Sequence, residues 1–515
     1  MSHPDVPALV VVVPLLTGLL TALALRGRWA WAAATLSSWL VLALVLDLAL
    51  AVQHAPGGFV SYALGGWAPP VGIEYRVDRL NAFVLVVVAV MGAVVTPGAR
   101  LGVEAAVPAD RLHLFWGVWQ LCQVGLLGIT ITGDAFNVYV LLEIGSLTTY
   151  TLVAMGKHRD RRALTAAFQY LVMGTVGASF LLVGIGYLLQ VTGTLNMADM
   201  AARLLEPEVA RASGRTIRAA FSLIAAGVCL KMALFPAHGW LPGAYAHAPA
   251  PVSALLASTA TKVGVYVAIR FLYGIFGHEL SFERLPTGPL LLVCAAVAIL
   301  AGSLLACRQR DLKRLLAWSS VAQIGYMALG VGLASKAGLA GALLHLLQHA
   351  LVKGALFLAV GALVWRLGAA RTDDLGGLGR RMPWTAGVLT LGMLGLVGVP
   401  GTAGFVSKWY LVTAALEQGL WPVAVVVLVG SLLAAAYALK VIEPLWAAPE
   451  HLPAGAGAAP SSPAWGGRES PFSSLVLPGL VLSALSLGLG LGLGGPAQEL
   501  ALAAAGDLVP ARGGP

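Results

Sequence analysis

Apolar runs of about 20 residues recur along the whole chain, and charged residues sit almost entirely in the short segments between them. A helix needs about 20 residues to cross the ~30 Å hydrocarbon layer of a bilayer, and it satisfies its own backbone there. Of 515 residues, 58% are hydrophobic and 11% charged, where a soluble protein carries roughly 25% charged positions. So few charges cannot cover a water-facing surface of this size, which excludes a soluble enzyme and a disordered chain. The 62 glycines and 28 prolines, many inside apolar sequence, predict close helix contacts and interrupted helices.

The pattern predicts an all-α membrane protein of about 14 spans. Residues 1–111 hold the first three spans, 112–276 spans four to eight, and 288–446 spans nine to thirteen. Residues 447–515 hold a Pro/Gly/Ser-rich loop (447–470), a last span (471–494) and a frayed tail ending GDLVPARGGP. The opening MSHPDVPALVVVVPLL lacks a basic leader and a small-residue cleavage site, so it is expected to stay as the first span. Alternate connectors differ in Lys and Arg. The set with Arg26, Lys157, Arg159, Arg308, Lys313 and Arg380 holds twice as many as the set with Arg76, Arg203, Arg284 and Lys336. The positive-inside rule puts the richer set in the cytoplasm and, for an even span count, both termini outside a cell (inner) membrane. These loops account for the net charge of +9, and no basic block asks for nucleic acid.

Charges inside spans cost at least ~2.5 kcal/mol each on insertion scales, so each needs a reason. Glu143, Lys231, Lys262, Lys353 and Lys408 sit inside apolar runs, with His345 and His349 on the same run as Lys353. His345, His349 and Lys353 fall at i, i+4 and i+8 and share one helix face. No acid or cysteine adjoins the two histidines, so a proton relay suits them better than a metal. Asp47, alone in LVLALVLDLAL, fits a structural or an interface residue equally. Pro236, Gly239, Pro242 and Gly243 follow Lys231, and Gly398, Pro400, Gly401 and Gly404 precede Lys408. Such breaks free backbone groups at membrane depth. They fall in the seventh and twelfth spans, five apart, which predicts two inverted five-span repeats, spans four to eight and nine to thirteen. His238 and His247 flank the first break and either admit protons or satisfy backbone there.

Cys122, Cys229, Cys294 and Cys307 are scattered, without a C-x-x-C, and read as apolar filler. GLGLGLGG lies in an apolar helical run, so it is not a dinucleotide loop. No cofactor and no metal is expected.

The stretches TGDAFNVYVLLEIGSLTTYTLVA, VTGTLNMADMA, CLKMALFPAHGWLPGAYAHAPAPVSALLASTATKVGVYVAIRF and DLKRLLAWSSVAQIGYM resemble the antiporter-type subunits of respiratory complex I and its relatives. Among these, the chain looks most like the D-type subunit of multisubunit Na⁺/H⁺ (Mrp-type) antiporters, with TGTLNMADMA favouring that subfamily. The resemblance covers roughly residues 75–445. It implies a central polar axis of Glu143 paired with Lys231, then Lys262, His345 and His349, and Lys408, with Lys353, His238, His247 and Asp134 as accessory positions. Asp134 and Asn137 match the family's GD-x-FN pattern, where capping is the expected role.

The function expected is a proton-translocating subunit that exchanges H⁺ for Na⁺ beside other membrane subunits. The alternative is a proton-pumping, antiporter-like subunit of an NADH-quinone oxidoreductase or membrane-bound hydrogenase-type complex; no redox site is expected in this chain itself. Proton uptake is expected near spans seven and eight on the cytoplasmic side, and release near spans eleven and twelve outside.

Overall fold

The computed structural model describes residues 5–447, 469–470 and 473–510. Nearly all of the expected loop at 447–470 lies outside the described residues.

The helices follow the apolar runs. The first six long helices are α1 (Val6–Leu23), α2 (Arg28–His54), α3 (Arg79–Gly98), α4 (Leu112–Ile131), α5 (Ala135–Ala154) and α6 (Arg162–Thr192). Then come α7 (Pro207–Met232), a short α8 (Trp240–His247), α9 (Ala250–Ser258) and α10 (Ala260–Ile269). The second half holds α11 (Thr287–Arg308), α12 (Leu312–Gly332), α13 (Lys336–Leu367), α14 (Pro383–Val397), α15 (Ala403–Glu417) and α16 (Trp421–Trp446). The chain closes with α17 (Leu477–Gly488) and α18 (Gly495–Leu508).

Local chemistry sets many boundaries. Asp134, Asp311 and Ser335 each accept a backbone N–H at the start of α5, α12 and α13. Gly398 ends α14 with φ 84°, a backbone that costs glycine little. Between membrane helices, close approach replaces hydrophobic driving force. A Cβ on Gly125 of α4 would stand 2.5 Å from the Gly145 Cα of α5, so this contact tolerates only glycine.

Among the described residues, 11 helices are long and apolar enough to cross a membrane, or 12 with the bent pair Leu477–Leu493 and Gly495–Leu508. The expected count of fourteen differs for two physical reasons. Arg211, Arg215 and Arg218 give α7 a polar first half. The expected twelfth span is split into α14 and α15, each of 15 residues and too short to cross alone. The chain is also not purely helical. Strands β1 (Phe59–Ala63) and β2 (Glu74–Asp78) form an antiparallel hairpin between α2 and α3, with Phe59 opposite Asp78. The tail is not frayed through Leu508: α18 bends 79° from the preceding helical segment, and Asp507 pairs with Arg79 at 2.8 Å.

The long helix α13 links two cavities at opposite ends. Gly368, just past its C-terminus, lines one of about 290 Å³ with Gly156, Asp160, His247, Asp311 and Lys313. Lys336, its first residue, lines another of about 1070 Å³ with His278, Glu283, Glu417, Gln418 and Val509. With 32 residues in α13 and a rise of 1.5 Å per residue, the two lie about 48 Å apart along it. The lining residues sort by end into the two connector sets that differ in Lys and Arg content.

Candidate functional site

Between these ends runs a set of buried and partly buried titratable side chains. Glu143 projects from α5 and Lys231 from the last turn of α7. Left-handed backbone at Ala233, φ 57°, stops α7 two residues later. Nζ of Lys231 lies 3.6 Å from Glu143 Oε1, with side chains 11% and 25% exposed respectively, and donates to Ser146 Oγ at 2.9 Å. The Trp240 indole donates to the Leu230 carbonyl in the last turn of α7, at 3.0 Å, and its ring stacks on Tyr170. A cavity of about 50 Å³ lies between Lys231, Ser146 and Tyr170 on one side and Ala260, Val263 and Gly264 of α10 on the other.

Lys262 opens the next part. Its span is interrupted at Thr259 (φ −127°, ψ −58°), a break the sequence reading does not anticipate. The fully buried Nζ turns back to donate to the Ala257 carbonyl beside that break. Lys353, also fully buried, donates to the Leu316 carbonyl at 2.7 Å and to Ser319 Oγ at 2.5 Å on α12.

His345 is held on both sides. Nε2 lies within hydrogen-bonding distance of Gln323 Oε1 and Nδ1 of Ser407 Oγ, each at 2.9 Å. His349 stacks one turn further on, its ring centroid 6.5 Å from that of His345. It is fully buried, and neither of its nitrogens has a protein partner among the described residues. Lone buried polar groups are expensive, so this ring asks for water or a transferred proton beside it. His349 interacts electrostatically with Lys262, Lys353 and His345, and His345 with Lys408 and Lys262.

Lys408 ends the set. Its Nζ donates to the carbonyls of Leu396 and Val397, at 3.0 and 2.9 Å, and to Ser431 Oγ at 2.9 Å. Those carbonyls are the last two of α14, so a cation sits at the negative end of a helix dipole. The ammonium also lies 4.6 Å from the Tyr326 ring centroid. A Cβ on Gly404 would stand 2.1 Å from the Gly395 carbonyl oxygen, so only glycine lets the two halves of the broken span come this close.

The structure thus brings Lys262, Lys353, His349, His345 and Lys408 together, and places the Glu143–Lys231 pair across a small cavity from α10. Of the accessory positions, Lys353 thus joins the set, while Asp134, His238 and His247 lie elsewhere. Asp134 caps α5, its Oδ1 accepting from the Asn137 N–H at 2.7 Å. His238 packs against Phe235 and Trp318, and its Nδ1 has no hydrogen-bond partner among the described residues. His247 Nδ1 lies 2.8 Å from Asp160 Oδ2 in the 290 Å³ cavity. Burial alone would raise the Asp160 carboxyl, but hydrogen bonds from Arg162 and His247 outweigh it and bring it down to about 2. Burial lowers His247 against the opposing pull of Asp160.

The sequence reading missed the hydroxyl and amide partners Ser146, Ser319, Gln323, Ser407 and Ser431. Ser319 and Gln323, at i and i+4 in LLAWSSVAQIGYM, carried a usable signal as polar residues on one face of an apolar helix. It also missed Arg270, which makes two hydrogen bonds to the Asp78 carboxylate at 2.8 and 2.9 Å and ties the end of the α10 span to α3.

A model of the NADH:quinone oxidoreductase/Mrp antiporter transmembrane family matches residues 132–434. The chain belongs to that family. The matched stretch contains every titratable residue of this set, from Glu143 to Lys408. Within this family, NADH-quinone oxidoreductase subunit N of Desulforudis audaxviator is 42% identical over 443 residues, 85% of each chain. The D-type subunit of the Na⁺/H⁺ antiporter of Alkalihalophilus pseudofirmus is 31% identical over 411 residues, 79% of this chain and 80% of the relative. A chain in the solved Mrp complex from Dietzia sp. DQ12-45-1b superposes with a TM-score of 0.86 at 28% identity, over 99% of this chain and 98% of that one. A relative named for an NADH-quinone oxidoreductase and one named for a Na⁺/H⁺ antiporter thus both match this chain over more than three quarters of its length.

Proposed function

We propose that this chain is the proton-translocating membrane subunit of a multisubunit monovalent cation (Na⁺)/H⁺ antiporter, working beside other membrane subunits. The observation that carries it is the run of buried titratable groups from Lys262 through His349 and His345 to Lys408, inside an otherwise apolar core. Glu143 modulates Lys231, since a near carboxylate favours the ammonium and a distant one does not. A lysine that alternates between those surroundings loads and releases a proton. Lys262 joins the Glu143–Lys231 pair to the second half, Lys353 lies beside the path, and Lys408 is the terminal relay.

In this reading α7 and the α14–α15 pair each count as one span, giving fourteen. Residues 112–276 and 288–446 form the two inverted repeats, between the N-terminal spans of 1–111 and the loop, last span and tail of 447–515. Lys231 precedes its break and Lys408 follows its own, so the pairing of the repeats rests on span order. The cavity at His247 faces the cytoplasm and admits protons, the cavity at Lys336 faces outward, and both termini lie outside the inner membrane.

Reconstitution of the whole complex tests this: a Na⁺ gradient should drive H⁺ flux, and Lys262→Ala should abolish it. A second reading, a pump subunit in a redox-driven complex, is favoured by the 42% identity to a subunit N. It requires proton flux driven by electron transfer and indifferent to Na⁺.

A further inference from the structure

Helix α2 carries an acidic residue where a lipid-facing helix has no use for one. Its buried face, with Ala34, Ser38, Val41, Val45 and Leu48, packs against α1, α3 and α4. The opposite face is exposed at Leu36, Leu40, Ala43, Asp47 and Leu50, a single stripe at alternating spacings of four and three. Asp47 lies about two turns from His54, the last residue of this 27-residue helix, and so within the central stretch of about 20 residues that crosses hydrocarbon. It makes no hydrogen bond or ion pair among the described residues. Its side chain is too short to reach the headgroup layer, unlike lysine or arginine. The exposed face of α6 shows the contrast: beyond Arg162 it carries apolar side chains such as Leu164, Phe168 and Val172, and uncharged Thr165, Gln169 and Ser179, but no charge.

We infer that the Asp47 stripe of α2 is the docking face for a transmembrane helix of a different subunit, one that presents a lysine or arginine at the depth of Asp47. Charge complementarity selects this occupant. Lipid tails leave the carboxyl unsatisfied. A second copy of this chain meeting the stripe across a two-fold axis sets Asp47 against Asp47, like charge on like. A cationic side chain satisfies the carboxylate at a depth where water does not compete, and the small Ala43 between exposed Leu40 and Asp47 lets an apolar helix come close. The inference rests on the reading of the chain as one subunit of a larger membrane assembly.

The test uses the complex purified intact from its native membrane, with a photo-crosslinking residue at Leu40, Ala43 or Leu50. The expected result is one adduct with a different membrane-spanning chain, whose crosslinked peptide carries a lysine or arginine. Asp47→Lys should reduce co-purification of that chain by at least ~tenfold, and exchanging the partner's cation for Asp should restore it. Adducts with lipid alone, or with a second copy of this chain, on an otherwise multisubunit complex would overturn the α2 proposal and leave the proposed function standing. Purification of the chain with no other subunit would overturn both.

Discussion

Lys231 Nζ stands 3.6 Å from Glu143 Oε1 but 2.9 Å from Ser146 Oγ, so the ammonium gives its short hydrogen bond to the hydroxyl and keeps the carboxylate as a charge partner just beyond. A charge-assisted N–H···O bond is about 2.7–2.9 Å long. The pair is therefore loose, and Ser146 can hold the lysine whether or not Glu143 is close. Glu143→Gln or Lys231→Ala should lower cation-dependent H⁺ flux at least ~tenfold with the complex still assembled. Ser146→Ala should cost less. Dye-quench assays on reconstituted complex check this, and full flux in either of the first two variants sinks the pairing.

Lys408 sits where α14 ends, and its two carbonyl acceptors suit a donor better than an anion. Lys408→Leu should stop transport. Lys408→Glu should keep a measurable fraction, because a protonated carboxyl can still donate to the Leu396 or Val397 carbonyl. Normal flux in Lys408→Leu would show that the relay does not end there.

Lys262 is the proposed joint between halves. Lys262→Met should leave proton uptake near Lys231 intact, read as a pH change on adding cation, while net flux across the membrane falls at least ~tenfold. Equal loss of uptake and flux would place Lys262 upstream of the pair.

Sidedness has a direct readout. A cysteine at Ala246, in the cavity of about 290 Å³, should react with an impermeant reagent only from the cytoplasm. A cysteine at Lys336, exposed and lining the 1070 Å³ cavity, should react only from outside. Reversed labelling would invert the topology and exchange uptake and release ends.

The Asp160–His247 pair gives a pH signature. The Asp160 carboxyl is lowered to about 2, so its contribution to stability holds above the ordinary carboxylate range and disappears only as pH falls toward 2. His247 is lowered below 6.5, so the unfolded chain binds that proton more readily and acidification below 6.5 costs stability. The thermal unfolding midpoint should therefore fall as pH drops from 7 to 5 in the native protein, and His247→Asn should flatten that decline. An unchanged slope in His247→Asn would assign the decline to other groups.

Much of this fold is legible because membrane helices announce themselves locally. The run of apolar residues from Lys336 to Leu367 and the i, i+4, i+8 spacing of His345, His349 and Lys353 both follow from a 3.6-residue period. The hairpin between α2 and α3 was not legible. FVSYA and EYRVD are short, and their pairing depends on the turn that brings Phe59 opposite Asp78. The break at Thr259 escaped as well, since ASTATKVG holds no proline to mark it.

By itself, the sequence determined that this chain lives in a membrane, where most of its helices lie, and which titratable residues are placed at the cost of leaving water. Burial of a charge is written in one run of residues, because apolar neighbours on the same helix already exclude solvent. Only the tertiary structure decided what each of those residues touches. His345 finds Ser407 sixty-two residues away, Lys353 finds the Leu316 carbonyl on α12, and Lys408 finds the open end of α14. Those partners depend on which helices pack side by side and at what height, and a repeat of 3.6 residues carries no information about that.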